Sequence, residues 1–197
     1  MIPRAPPRRT HCSWVSSMTE RREIRLAGLG GQGVVLAGVL LGQAAVDQGL
    51  YAAGSNSYGA QARGSAARAD LVLDQQEIDY PHVELPDLLV AMSQGAYDTY
   101  ASGVAPGGKV LFDSGLVEPK APHDRYGAKV TAMSLEEFKN RQVANVIWVG
   151  LVAGVTGWFQ TEVLERTLVN LVPERFAELN KAALARGLEL GRAWGGA

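Results

Sequence analysis

The sequence predicts an α/β domain with a mostly parallel sheet, flanking helices and a helical C-terminal region. Three observations carry that prediction. Short apolar runs alternate with helical patterns through the first two thirds of the chain. A glycine-rich turn, Gly28-Leu29-Gly30-Gly31-Gln32-Gly33, stands between the first such run and the first helix. From Val143 onward only helical patterns remain. With 197 residues, 47% hydrophobic and 20% charged, the chain can bury one substantial core and is not disordered as a whole.

In order, residues 1–17 (MIPRAPPRRTHCSWVSS) combine Pro, Arg and Ser without periodicity and lack the apolar core of a secretory signal. They read as a disordered leader, leaving 18–197 as a single domain. Ile24, Leu26 and Leu29 mark a short strand running into the glycine turn. Val34 to Gln48 follows as a helix with an apolar side of Val35, Val39, Leu40 and Val46, closed by Gly49. Tyr51–Ala53 reads as a short second strand, and Gly54 to Ser65 as a loop of small and polar residues. Ala66–Leu73, Leu88–Ala91 and Lys109–Asp113 are further strands, with a helix at Gln94–Ser102 and a turn at Pro106-Gly107-Gly108. A last strand is expected at Ala128–Thr131. Ser134 and Glu137 have the spacing of a capping box, for a helix running through Phe138. Helices are then expected at Val143–Thr156, Thr161–Leu171 and Pro173–Gly191, with Pro173 in a first turn.

Composition excludes several function classes. Residues 1–17 hold Arg4, Arg8 and Arg9 and no acid, so without them 19 basic residues fall to 16 against 20 acidic ones. A body of that balance has no basic stripe for nucleic acid. Cys12 is the single cysteine, which rules out an internal disulfide and a cysteine-ligated cluster and fits a reducing cytoplasm. His11, His82 and His123 show no metal-ligand spacing, so no metal is expected. Val143–Phe159 spans 17 residues and contains Asn145, Thr156 and three glycines, too short and too polar to cross a membrane. It reads as a buried or interface helix whose Gly150, Ala153, Gly154 and Gly157 admit a close neighbour.

Two constellations remain as candidate sites. Gly28, Gly30 and Gly33 satisfy GxGxxG between a strand and a helix, where backbone N–H groups and a helix N-terminus hold phosphate. A dinucleotide site also needs an acidic residue about 20 positions on. The sequence there is Ala52-Ala53-Gly54-Ser55-Asn56, without a carboxylate. Gly28, Gly30, Gly31, Gln32 and Gly33 therefore stand as a dinucleotide turn, a turn for another anion, or a purely structural or interface turn. The second constellation is Ser55 to Ser65, expected beside the glycine turn. Ser57 and Tyr58 offer hydroxyls there and Arg63 a cationic fork, or the loop is merely solvated. No Walker lysine, HExxH or nucleophile in context is present, and no catalytic residue is assigned.

Taken in order, GLGGQGV (Gly28–Val34), SYGAQARG (Ser57–Gly64), PDLLVAM (Pro86–Met92), PGGKVLFDS (Pro106–Ser114), VANVIWVG (Val143–Gly150) and ELNKAALARG (Glu178–Gly187) resemble the gamma subunit, or gamma domain, of 2-oxoacid:ferredoxin oxidoreductases. The resemblance spans about Ile24 to Gly191 and rests on the order and spacing of the blocks. It implies a Rossmann-like α/β domain that serves as a non-catalytic subunit of an enzyme that oxidatively decarboxylates a 2-oxoacid to an acyl-CoA and passes electrons to ferredoxin or a related acceptor. It implies alpha and beta subunits as partners, with a cluster-carrying delta subunit as a further candidate. Thiamine diphosphate, Mg and iron–sulfur clusters are implied on those partners, with coenzyme A as co-substrate. Gly28–Gly33 and Ser57–Gly64 would face partners or shape the coenzyme A approach, with Arg63 meeting a phosphate or a partner carboxylate. The family loop SYGPE-x-RGG is altered here, with Ala60 for Pro, Gln61 for Glu and Ser65 for the second Gly. The rival readings are a free-standing NAD(P)-binding oxidoreductase and a scaffold without a ligand.

Overall fold

The computed structural model describes residues 21–59, 64–120 and 124–195. The proposed leader, Ala60 to Arg63 and His123 lie outside the described residues. The six strands are β1 (Arg22–Leu29), β2 (Tyr51–Tyr58), β3 (Ala66–Asp74), β4 (Leu88–Ala91), β5 (Lys109–Asp113) and β6 (Asp124–Ala128). They form one sheet in the order β2-β3-β1-β4-β5-β6. The pairs β1–β4, β4–β5 and β5–β6 are parallel, whereas β3 is antiparallel to both β1 and β2. Among these strands only β3 runs against the rest, so the sheet is mostly parallel in direction, with one reversed strand wedged beside β1.

Helices cover both faces. The larger layer holds α1 (Val34–Asp47), α4 (Ala144–Thr156), α5 (Thr161–Leu171) and α6 (Ala177–Gly195), packed with Ile24, Leu26, Leu71, Leu88, Val90 and Leu111. The smaller layer is α2 (Gln94–Tyr100) over Leu89, Ala91, Val110 and Phe112. Covered on both faces, Leu88–Ala91 is buried at every position, which is why LLVA shows no alternation in the sequence. Arg25, on the α2 side of β1, makes two hydrogen bonds to the buried Asp70 carboxylate, at 2.7 and 3.0 Å, and lies against the Tyr100 ring. The pairing keeps two charges satisfied in a largely dry place.

Four expectations need correction. β2 does not end at Ala53; it continues through Ser57 and Tyr58 in register with Asp74 to Ala67 of β3. Its polar residues are tolerated because it is an edge strand, held by backbone hydrogen bonds on one side and largely exposed. The last strand is Asp124–Ala128 rather than Ala128–Thr131, and Val130 begins α3 (Val130–Glu136). Ser134 does not cap a helix: it is buried within α3 and its hydroxyl donates to the Thr131 carbonyl. A tertiary acceptor replaces the cap, since the Thr131 N–H donates to Asp113 Oδ2 at 2.9 Å from the neighbouring strand. The C-terminal helix is split, with a 3₁₀ turn at Glu174–Phe176 before α6.

α4 is buried along nearly its whole length. It meets α6 through Gly150 and Gly154 facing Gly187 and Gly191. A Cβ on Gly150 would run into the Leu184 carbonyl oxygen, and one on Gly187 into the Ile147 carbonyl oxygen. At Gly154 and Gly191 it would stand 2.7 Å from Leu188 O and 2.6 Å from Leu151 O. The close neighbour expected for this helix is therefore α6. Gly157 has a different task, capping α4 in the left-handed region at φ 65°. Among the described residues, no helix is long and apolar enough to cross a membrane.

Because backbone meets backbone at this crossing, Gly187→Ala is expected to cost roughly 3 kcal/mol or more in urea unfolding. Gly95→Ala, where nothing lies within 4 Å, is expected to be neutral or slightly stabilising. Equal, small effects at both positions would contradict the packing described.

Candidate functional site

β1 ends at Leu29 and α1 begins after Gly33, so the glycine turn lies at the carboxyl edge of the sheet beside the β1–β4 boundary. α1 packs on one face of the sheet and α2, which follows β4, on the other. This is the position at which open α/β sheets present a crevice for ligands. Here the crevice is crossed by the chain itself. Gln32 Oε1 accepts the Leu29 N–H at 2.6 Å, and Gln32 Nε2 donates to the Met92 carbonyl, just past β4, at 2.8 Å.

The glycines of the motif have separate reasons. A Cβ on Gly28 would stand 2.5 Å from Gln32 Oε1 and 3.0 Å from Met92 Cβ, so this position makes room for the glutamine. Gly33 is the N-cap of α1 at φ 73°, and a Cβ there would meet the Asn145 side chain of α4 at 2.6–2.9 Å. Gly31, at φ 98° with nothing near, is a matter of backbone conformation alone. Gly30 donates its N–H to Ser65 O at 2.8 Å, and Gly64 donates to Gly30 O at 3.3 Å. The second constellation thus joins the first through Gly64 and Ser65, as an extension of the β1–β3 ladder that pairs Leu29 with Ala66.

Ser57 and Tyr58 are exposed at the end of β2, on the same edge of the sheet as the turn. They are separated from it by β3, through the register Tyr58–Ala67–Gly28. Two strand spacings amount to about 10 Å. Arg63 lies outside the described residues. No acid stands at the end of β2, where Ser55, Asn56 and Ser57 pair with Asp70, Ala69 and Arg68.

What the turn offers is the end of α1. That helix has no side-chain cap and no acidic residue in its first turn. The first intrahelical bond closes from Ala37 N–H onto Gly33 O, at 3.0 Å, which leaves the preceding amides without partners inside the helix. The positive end of the helix dipole therefore faces the sheet edge unneutralised. Beside it is a narrow cleft of about 20 Å³ lined by Gly31, Gln32, Met92, Thr131, Arg141, Ala144 and Trp148. Asn145, 5% exposed, presses on Gly33, and its Oδ1 has no hydrogen-bond partner among the described residues. A buried carbonyl oxygen left that way costs about 1–3 kcal/mol.

Sequence reasoning missed Thr131, Arg141 and Asn145. The usable signal was Asn145, a lone amide in the apolar run VANVIWVG. Among the described residues, no group of three or more His, Cys, Asp or Glu side chains is placed to hold a metal. His82 lies in a loop, its carbonyl accepting from Arg21 and its ring edge-on to Tyr80.

The architecture and its turn define a Rossmann-like α/β domain whose dinucleotide crevice is closed by its own glutamine. The family model for pyruvate ferredoxin/flavodoxin oxidoreductase matches residues 23–190, and the chain belongs to that family. The 2-oxoglutarate synthase subunit KorC of Methanocaldococcus jannaschii is 39% identical over 177 residues, covering 87% of this chain and 95% of its own length. The protein of the same name from Methanothermobacter marburgensis is 40% identical over 179 residues, covering 86% and 96%. Among solved structures, the keto/oxoacid ferredoxin oxidoreductase gamma subunit of Geobacter sulfurreducens superposes with a TM-score of 0.81 at 33% identity. It covers 89% of this chain and 98% of that one.

Gln32 is the side chain on which the closed turn depends. Gln32→Glu removes the donor to Met92 O and sets a carboxylate against a carbonyl. It is expected to cost about 1–3 kcal/mol at neutral pH, with part recovered in acid as the protonated carboxyl donates again. Urea unfolding at both pH values measures this, and an unchanged midpoint at neutral pH would refute the bridge.

Proposed function

We propose that the chain is the gamma subunit of a multi-subunit 2-oxoacid:acceptor oxidoreductase, carrying no catalytic residue of its own. The assembly oxidatively decarboxylates a 2-oxoacid to an acyl-CoA, with ferredoxin or a related protein taking the electrons. The observation that carries this reading is identity near 40% to 2-oxoglutarate synthase subunits over most of this chain and nearly the full length of theirs. Those relatives are named for 2-oxoglutarate, which is the first 2-oxoacid to test.

Alpha and beta subunits, and a cluster-carrying delta subunit where one is present, are the partners of this reading. Thiamine diphosphate, Mg and the iron–sulfur clusters belong on them. The single cysteine of this chain, Cys12, supports that division, since a cysteine-ligated cluster needs several thiolates. The assembly is placed in the cytoplasm.

The work left to this chain is assembly and the shaping of the coenzyme A approach. Gly31, Gln32 and Gly33 expose an uncapped helix end suited to an anionic group. Gly28 and Gly30 hold the shape of that turn. Ser57, Tyr58 and Arg63 supply the neighbouring hydroxyls and a cation, toward the same coenzyme or a partner surface. The free-standing dehydrogenase reading loses its support, because the crevice it requires is occupied by Gln32.

The test is a mild affinity purification of the tagged chain from its native host. Co-elution of the other subunits, with thiamine diphosphate and a broad visible iron–sulfur absorbance, is the expected result. A colourless eluate of this chain alone, with no oxidoreductase subunits, would overturn the assignment.

A further inference from the structure

We propose that the open edge of β2 and the outer stripe of α1 form one docking surface, and that its occupant is a second copy of this chain. The two β2 strands pair antiparallel about a two-fold axis and join two six-stranded sheets into one. This pairing is independent of the gamma-subunit assignment, which survives its failure.

An edge strand exposes a row of unpaired amides and carbonyls, and proteins blunt such rows with charges, prolines, bulges or short length. β2 has none of these. Tyr51–Tyr58 runs for eight residues in unbroken register with β3 and contains no proline and no charged side chain. Among the described residues, no strand pairs with its outer side. The opposite edge is ordinary by comparison, since β6 is five residues long and carries the exposed Arg125.

α1 shows the same peculiarity. Its 14 residues hold one charge, Asp47 at the end, whose carboxylate accepts from Gln43 and Thr167. A helix apolar on every side belongs in an interior. Yet Leu36, Val39 and Val46 are exposed along one stripe with Gln43. A groove of about 240 Å³ lies between this stripe and β2, lined by Val39, Val46, Ala52, Gly54 and Asn56. The one charged residue along it, Asp70, turns its carboxylate to Arg25 on the other face of the sheet. A partner for this surface must bring a free strand edge with an uncharged apolar surface beside it.

A second copy brings both. A two-fold axis normal to the sheet keeps α1 of each copy on the same face, so the two stripes approach each other over the joined strands. Directly opposed residues share a face, and the axis leaves each residue on its own face. It therefore passes at Gly54 or at Ser55, the positions that keep the strands in near-full overlap. In either register no like charges meet, because the strand has none. Leu36, Val39, Val46, Tyr51 and Tyr58 leave on the order of 500 Å² of side chain in solvent per copy. The open strand backbone brings that toward the roughly 800 Å² per partner of a stable interface.

Sedimentation equilibrium of the purified full-length chain measures the association, and hydrogen exchange of the 51–58 segment above and below its midpoint locates it. A dimer is expected, with β2 amides exchanging about tenfold more slowly in it than in the monomer. Ser55→Lys sets like charges near the axis, and Val39→Lys charges the stripe. Each is expected to raise the dimer dissociation constant about tenfold or more while leaving the monomer folded. Leu135→Lys, at a similarly exposed apolar position on α3, is expected to leave that constant unchanged. A monomer at every concentration up to about 200 µM, or a dimer whose affinity neither β2 nor α1 variant alters, overturns the inference. So does protection of β2 that appears only when the other subunits are added, since the occupant is then one of them.

Discussion

α4 has almost no face left for solvent, and that burial governs the rest of the molecule. One side of the helix lies in the layer formed with α1 and the sheet, and the other must be covered by α6. The cover works only at backbone contact, through Gly150, Gly154, Gly187 and Gly191, because any side chain there would meet a carbonyl or amide of the opposite helix. Close packing of this kind transmits position along a helix with little slack. The depth of α4 therefore decides where Asn145 stands, and Asn145 stands against Gly33, the residue from which α1 starts.

The glycine turn shows how one spacing can serve different physics. In a dinucleotide-binding unit the glycines let the backbone approach a pyrophosphate and let the helix pack on the strand. Here Gly28 gives way to Gln32, Gly33 gives way to Asn145, and Gly30 extends the sheet onto Ser65. The glutamine joins the Leu29 amide to the Met92 carbonyl and closes the boundary between β1 and β4 from within. What the turn leaves open is the uncapped end of α1, which suits one anionic group rather than a dinucleotide lying across the sheet. That agrees with membership in a family whose relatives are subunits.

Much of the fold was legible. Leu88–Ala91, Lys109–Asp113 and Thr161–Leu171 fall where the sequence predicts them, and the helix from Val34 differs by one residue at its end. Of that helix's expected apolar side, however, only Leu40 is buried, Val39 and Val46 being exposed while Ala37, Leu41, Ala44 and Ala45 face the core. The failures share a cause, in that local chemistry was outweighed by a distant partner. Gly54 to Tyr58 look like loop, yet β3 recruits them because an edge strand asks only for backbone pairing. Ser134 looks like a cap, yet Asp113 on β5 does the capping of α3. At the site, the motif located the turn but could not reveal that Gln32 fills it. Asn145 reaches Gly33 only through the placement of α4.

A crevice closed to dinucleotides separates a subunit from a free-standing dehydrogenase. Titration of the purified full-length chain with NADH and NADPH, followed by nicotinamide fluorescence, tests it directly. No saturable change is expected up to about 1 mM, corresponding to binding weaker than about −4 kcal/mol. Saturable binding at micromolar concentrations would mean that Gln32 yields to the ligand and that the crevice is open to dinucleotides.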